Sequence, residues 1–187
     1  MISKLITDAD KKAKKIFFEV KSLRLELEIL NDDQEKNEND FRRAVNDYVR
    51  LNNLKSARVI FDEPDINVPK SALKVDCSDN LKKMYKQISM KTHPDKTKNF
   101  PKSYQDLMKK YHEQLSKGFN SNCPSVIIDI AQKLDLEEIN LGIEEYMTLQ
   151  GEKEELLEKI KIIKNTYSWR WSNSGKDIKW IKLFLGV

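Results

Sequence analysis

Apolar residues recur along the first part of the chain at a fixed interval. Ala9, Ala13, Ile16, Val20, Leu23, Leu27 and Leu30 follow one another at alternating steps of four and three, the spacing of about 3.5 residues that marks a coiled-coil seam. The same phase carries Gln34 and Asn37 onto the seam within the polar stretch NDDQEKNEND, then reaches Phe41, Ala44, Tyr48 and Leu51. The unbroken phase predicts one helix from about Ser3 to about Lys55. The clustered Asn and Asp predict instead two helices turning at Asn31–Asn39, and the pattern leaves both open.

Pro64 and Pro69 break the helical pattern, so 57–77 reads as a connector with one short turn at Ser71–Val75. A helix then begins at Ser78 or Asp79, either able to accept from the free amides of a first turn. It must stop near Thr92–His93, because Pro94 disfavours helical geometry in the residue before it. After the loop PDKTKNFPKS, Ser103 is expected to cap a helix closed by Gly118, with Tyr104, Leu107, Met108, Tyr111 and Leu115 as its apolar stripe. Pro124 opens another helix to about Leu134, with Val126, Ile127, Ile130, Ala131 and Leu134 as its apolar set. Leu149, Leu156, Ile160, Ile163 and Tyr167 resume the heptad, with Lys153 on one seam position. The tail turns at Ser172–Gly175 and ends in a helix with Ile178, Ile181 and Leu185 on one side and Trp180 and Phe184 beside them. The expected fold is all-α. It divides into an N-terminal heptad helix or helix pair (1–56), the connector (57–77), a helical hairpin (78–118) and a C-terminal helical extension (119–187).

Composition agrees with this picture. Five Gly and five Pro in 187 residues leave few tight turns for strands. No stretch approaches the roughly 20 apolar residues that span a bilayer. The start MISKLITDADKKAKK lacks the apolar core of a signal peptide, and Cys77 and Cys123 form no CxxC pair, so a cytoplasmic protein with free thiols is expected. Charge is distributed unevenly: residues 78–118 hold ten Lys against four Asp and Glu, more net charge than the +4 of the whole chain. Such a block points to an acidic partner or to nucleic acid.

On a wheel of about 100 degrees per residue, Leu81, Met84, Tyr85, Ile88 and Thr92 gather on one arc. Lys82, Lys83 and Lys86 lie roughly opposite, and the row leads to His93, Pro94 and Asp95. The apolar arc is expected to pack on Tyr104, Leu107, Tyr111 and Leu115 as an antiparallel hairpin, leaving the lysines in water.

The segment LKKMYKQISMKTHPDK resembles helix II and the following tripeptide of a J domain, the activating module of DnaJ-like co-chaperones. Leu81, Tyr85 and Ile88 fall at the family's core positions, and Lys82, Lys83, Lys86 and Lys91 at its basic ones. His93-Pro94-Asp95 matches its signature, with Lys96 following. Tyr104, Leu107 and Tyr111 keep the spacing of helix III. The chain departs from the family where helix I belongs, with only SALKV near its place, in a shorter loop, and in Lys110 where a small residue is usual. The extension after 118 resembles J-domain proteins of large DNA viruses and some bacteria. The resemblance implies recognition rather than bond-making. The basic face of Lys82, Lys83 and Lys86 would meet an acidic surface on the ATPase domain of a 70-kDa heat-shock chaperone. Asp95 would accept from a partner arginine, Pro94 would stiffen the loop, His93 would orient it, and ATP hydrolysis by the partner would be stimulated.

Other chemistries find less support. Cys77, His93, His112 and Cys123 show no compact zinc spacing, so no metal is expected. No nucleophile elbow or glycine-rich phosphate loop exists, so neither enzyme activity nor a cofactor is expected. Nucleic acid competes for the lysines, but Tyr85, Tyr104 and Tyr111 fall at core phase, and arginine is absent between Ser78 and Gly118. A coiled-coil scaffold whose hairpin activates nothing is the main alternative. The heptads suit either packing within the chain or a homodimer.

Overall fold

A computed structural model describes residues 2–54, 78–121, 123–136 and 141–187, with side chains described from residue 8 onward. The connector, the turn at Ser71–Val75, the segment SALKV and Cys77 lie outside the described residues. The described residues form eight helices and no strand: α1 (Ile2–Leu51), α2 (Asp79–Thr92), α3 (Pro94–Thr97), α4 (Lys102–Asn120), α5 (Pro124–Lys133), α6 (Ile143–Lys164), α7 (Tyr167–Asn173) and α8 (Lys179–Leu185). The fold is all-α. α1 is one helix, so the heptad phase decides between the two readings of its middle. Gln34 and Asn37 are half-buried seam residues, and each finds a polar partner, Glu38 at 2.6 Å and Ser172 at 2.8 Å.

Two compact units form, Met1–Ser22 with Ser71–Glu154, and Leu23–Lys70 with Glu155–Val187. The core of the first contains Ala13, Ile16, Phe17 and Val20 of α1, Leu81, Met84 and Ile88 of α2, and Met108 and Leu115 of α4. Ile127, Ile128, Ile130 and Ala131 of α5 complete it with Leu141 and Leu149. α5 packs on both α2 and α4 and is buried nearly all round, which brings Ile128 inside beyond the expected apolar set. The seam residues Ala13, Ile16 and Val20 are covered by this chain itself.

Polar ties fix this unit's helices. Lys21 pairs with Asp129 at 2.6 Å, and Lys153, the charged seam residue of α6, reaches Glu19 at 2.7 Å. Among the described residues of this unit, two carboxylates are buried. Glu152 accepts from the amide (3.0 Å) and the hydroxyl (2.6 Å) of Ser125 in the first turn of α5. Glu145 accepts from the amide of Gly142 at 2.7 Å and from the hydroxyl of Ser78. Each satisfies amides that a helix start leaves unpaired.

Several details differ from the sequence reading. Ser103 lies inside the first turn of α4, whose N-cap is Pro101 with no side-chain cap. Gly118 does not close α4; it is buried within it, where α5 comes close. Of the stripe on α4, Met108 and Leu115 are buried and Tyr111 is half-buried, while Tyr104 and Leu107 remain exposed at 39% and 42%. The predicted loop contains a helical turn, α3.

The second unit centres on Phe41, Val45, Trp171 and Ile181, with Tyr48, Trp180, Phe184 and Leu185 packed around them. Phe41 meets Trp171 and Phe184 edge-on, at ring separations of 5.6 and 5.4 Å. Leu156, Ile160 and Ile163 are buried on α6, and Lys164 pairs with Glu26 of α1 at 2.6 Å. Tyr167 leaves the seam, exposed at the start of α7, because Thr166 ends the α6 register and caps α7 by accepting from the amide of Trp169. Ile178 is exposed ahead of α8, and Leu51 at the end of α1 is exposed rather than on a buried seam.

Candidate functional site

α2 starts where expected. Ser78 caps it by accepting from the amide of Leu81 at 3.1 Å. The helix buries Leu81, Met84, Ile88 and Thr92, and Tyr85 lies half-buried against the ring of Phe119, 4.3 Å away. Thr92, seven residues further along, meets His112, seven residues back along α4. The two contacts advance in opposite senses, so α2 and α4 are antiparallel.

With that arc buried, the lysines are left outside. Lys82, Lys83, Lys86, Lys91 and Lys96 are all exposed. Lys82 reaches Asp79 on its own helix at 3.3 Å, a surface pair of little weight. Lys83, Lys86, Lys91 and Lys96 have no ion-pair partner among the described residues. Lys82, Lys83 and Lys86 share the face opposite the core. Lys91 stands apart, flanking the buried arc by helical spacing. Met90, 69% exposed, falls between Lys83 and Lys86 on the same face. The sequence reading passed over it, although its phase was visible.

The helix ends at Thr92, and His93 is extended (φ −59°, ψ 133°), the backbone a residue before proline favours. Pro94 then opens α3 at the position that proline suits best. His93 is the N-cap of this turn: its Nδ1 accepts from the amide of Asp95 at 3.3 Å, and its carbonyl accepts from the amide of Lys96 at 2.9 Å. The buried Thr97 donates its hydroxyl to the carbonyl of Pro94 at 3.2 Å. The carboxylate of Asp95 faces outward, 83% exposed, with Oδ2 3.7 Å from His93 Nδ1. His93, Pro94 and Asp95 thus project together from the end of α2, and all three are exposed.

His112 is half-buried beside this tip. Its Nδ1 lies 3.1 Å from the hydroxyl of Thr92, and its ring stands edge-on to that of His93, centroids 6.0 Å apart. Among the described residues no group of three or more His, Cys, Asp or Glu is placed to hold a metal ion, and no helix is long and apolar enough to cross a membrane. Compared with protein-family models, with curated proteins and with solved structures, the chain matches none.

Proposed function

We propose that the chain is a co-chaperone that docks on the ATPase domain of a 70-kDa heat-shock chaperone and stimulates its ATP hydrolysis. One observation carries this reading: an exposed His93-Pro94-Asp95 turn ends a helix whose free face holds Lys82, Lys83 and Lys86. Within the described residues no donor engages the carboxylate of Asp95: the nearest ring nitrogen, His93 Nδ1 at 3.7 Å, already accepts from the Asp95 amide. The carboxylate is open to a charge-assisted hydrogen bond from a partner guanidinium. The lysines steer and orient an acidic surface, setting rate and specificity more than affinity. The capped turn presents the carboxylate already ordered, which lowers the entropy lost on docking. Lys91 and Lys96 extend the positive field on either side of the tripeptide.

The test is single-turnover ATP hydrolysis by a purified 70-kDa chaperone with wild type and with Asp95→Asn. Stimulation by wild type and its loss in the variant are expected; equal rates for the two remove the reading. A scaffold role draws on a different observation, the exposure of Leu25 (59%) and Ile29 (53%) one turn apart on α1. Under it, self-association persists in Asp95→Asn and no chaperone is stimulated.

A further inference from the structure

The geometry points to His112 as a positioning residue for the His93-Pro94-Asp95 tip, acting from α4 through the hydroxyl of Thr92. Thr92 is the last residue of α2 and is fully buried. Its hydroxyl has one hydrogen, donated to the carbonyl of Ile88 at 2.9 Å. The contact with His112 Nδ1 must therefore use a hydrogen carried by the ring, with the threonine oxygen accepting. On that assignment His112 presents Nδ1–H to Thr92. His93 is in the opposite state, since its Nδ1 accepts from the amide of Asp95 and carries no hydrogen.

A continuous path results. α4 holds His112, His112 holds the end of α2, and the next residue caps the turn that bears Asp95. The edge-on ring of His112 also restricts the rotation of the His93 ring, which must keep its Nδ1 toward the Asp95 amide. Without the His112 hydrogen bond the last turn of α2 frays, His93 leaves its capping rotamer, and the Asp95 carboxylate no longer has one direction. The inference deepens the co-chaperone reading and rests on it for its functional consequence, though not for its structural one.

The structural arm uses the full chain alone. Amide hydrogen exchange is followed by NMR in His112→Leu and in His112→Asn, whose side-chain amide can replace Nδ1–H. His112→Leu is expected to raise exchange at Asp95 and Lys96 about three- to tenfold, the loss of one hydrogen bond, while Leu81–Ile88 stay unchanged. His112→Asn is expected to stay within about twofold of wild type. Should His112→Leu unfold the chain, His112→Gln serves instead, because its amide extends past the Nδ1 position. Unchanged tip exchange in His112→Leu (or in His112→Gln where it stands in), or equal loss in His112→Asn, overturns the assignment. In the activity arm, the maximal stimulated rate should fall in His112→Leu at an unchanged half-saturating concentration, with His112→Asn restoring it. No stimulation by wild type defeats the co-chaperone reading and leaves the exchange result to decide His112. Stimulation equal in wild type and His112→Leu defeats the functional consequence.

Discussion

A Cβ built on Gly118 of α4 would lie 2.8 Å from the Cβ of Val126 on α5. Contacts that short do not occur between real side chains, so the close approach of these two helices requires glycine at 118. The expected cost of Gly118→Ala is about 1–3 kcal/mol, from displacing α5 in a packed core. Gly151 in α6 is the control. A Cβ there meets nothing within 4 Å, so Gly151→Ala should stabilise by about 0.5–1 kcal/mol through helix propensity. Denaturant unfolding of the two variants should move in opposite directions. A shared sign would show that the gap between α4 and α5 does not set the role of Gly118.

The misreading of Gly118 as a helix end shows where the sequence stops being legible. A glycine after an apolar stripe carries the same local signal whether it caps a helix or admits a neighbour, and only the position of Val126 decides. Exposure of Tyr104 and Leu107 has the same origin: phase places a residue on a face, but the extent of the partner helix decides whether that face is covered. The heptad phase was legible because it depends only on spacing. Whether one helix or two carries it through the polar middle was not, since the partner of Asn37 there, Ser172, is not announced by spacing. The tip was legible for a reason similar to that of the phase, since the cap Ser78, the proline and the lysine face all lie within 19 residues of sequence, 78–96. The bond between Thr92 and His112 spans 20 positions, and those of Glu145 and Glu152 to Ser78 and Ser125 span 67 and 27. No pattern local to either partner announces them.

Asp129 gives a pH dependence. Burial pushes its carboxyl up, but hydrogen bonds from Lys133 and Lys21, each at 2.6 Å, outweigh burial and leave it below the usual aspartate value. A carboxyl lowered on folding contributes stability that is complete above its unfolded value, about pH 4. The contribution is lost as pH falls through the lower folded value. Wild type should therefore lose stability on acidification below about pH 4 more steeply than Asp129→Asn. Unfolding free energy measured at steps from pH 6 to pH 2 gives the two slopes. Parallel slopes would mean that the Lys21–Asp129–Lys133 cluster adds nothing to acid sensitivity.

Glu152 should be among the more costly single replacements in its unit. Both of its oxygens are engaged by Ser125, and the residue is 7% exposed. Glu152→Gln removes the charge and turns one acceptor into a donor facing the Ser125 amide or hydroxyl. The expected loss is about 1–3 kcal/mol, the range for a buried hydrogen bond to a charged group. Ser125→Ala should cost less, because the backbone amide at 125 still donates to the carboxylate. Since the two residues share one network, the double variant should be less destabilised than the sum of the singles. Additive losses in denaturant titrations would place the weight of Glu152 elsewhere.

Neutralising Lys82, Lys83 and Lys86 together as glutamine separates docking from folding. All three are exposed, and the ion pair they make among the described residues, Lys82 with Asp79, lies on the surface of α2. Unfolding free energy should therefore change by no more than about 0.5 kcal/mol. On the co-chaperone reading the triple variant associates more slowly with the chaperone, and the difference from wild type shrinks as salt is raised, because exposed charges farther apart than about 10 Å are screened near 0.1 M ionic strength. The stimulated rate at saturation should hold, since the Asp95 turn is untouched. Stopped-flow association at low and high salt, alongside single-turnover hydrolysis, reads both quantities. Association rates that match wild type at every salt concentration would take the lysine face out of the interaction and leave the tip to dock alone.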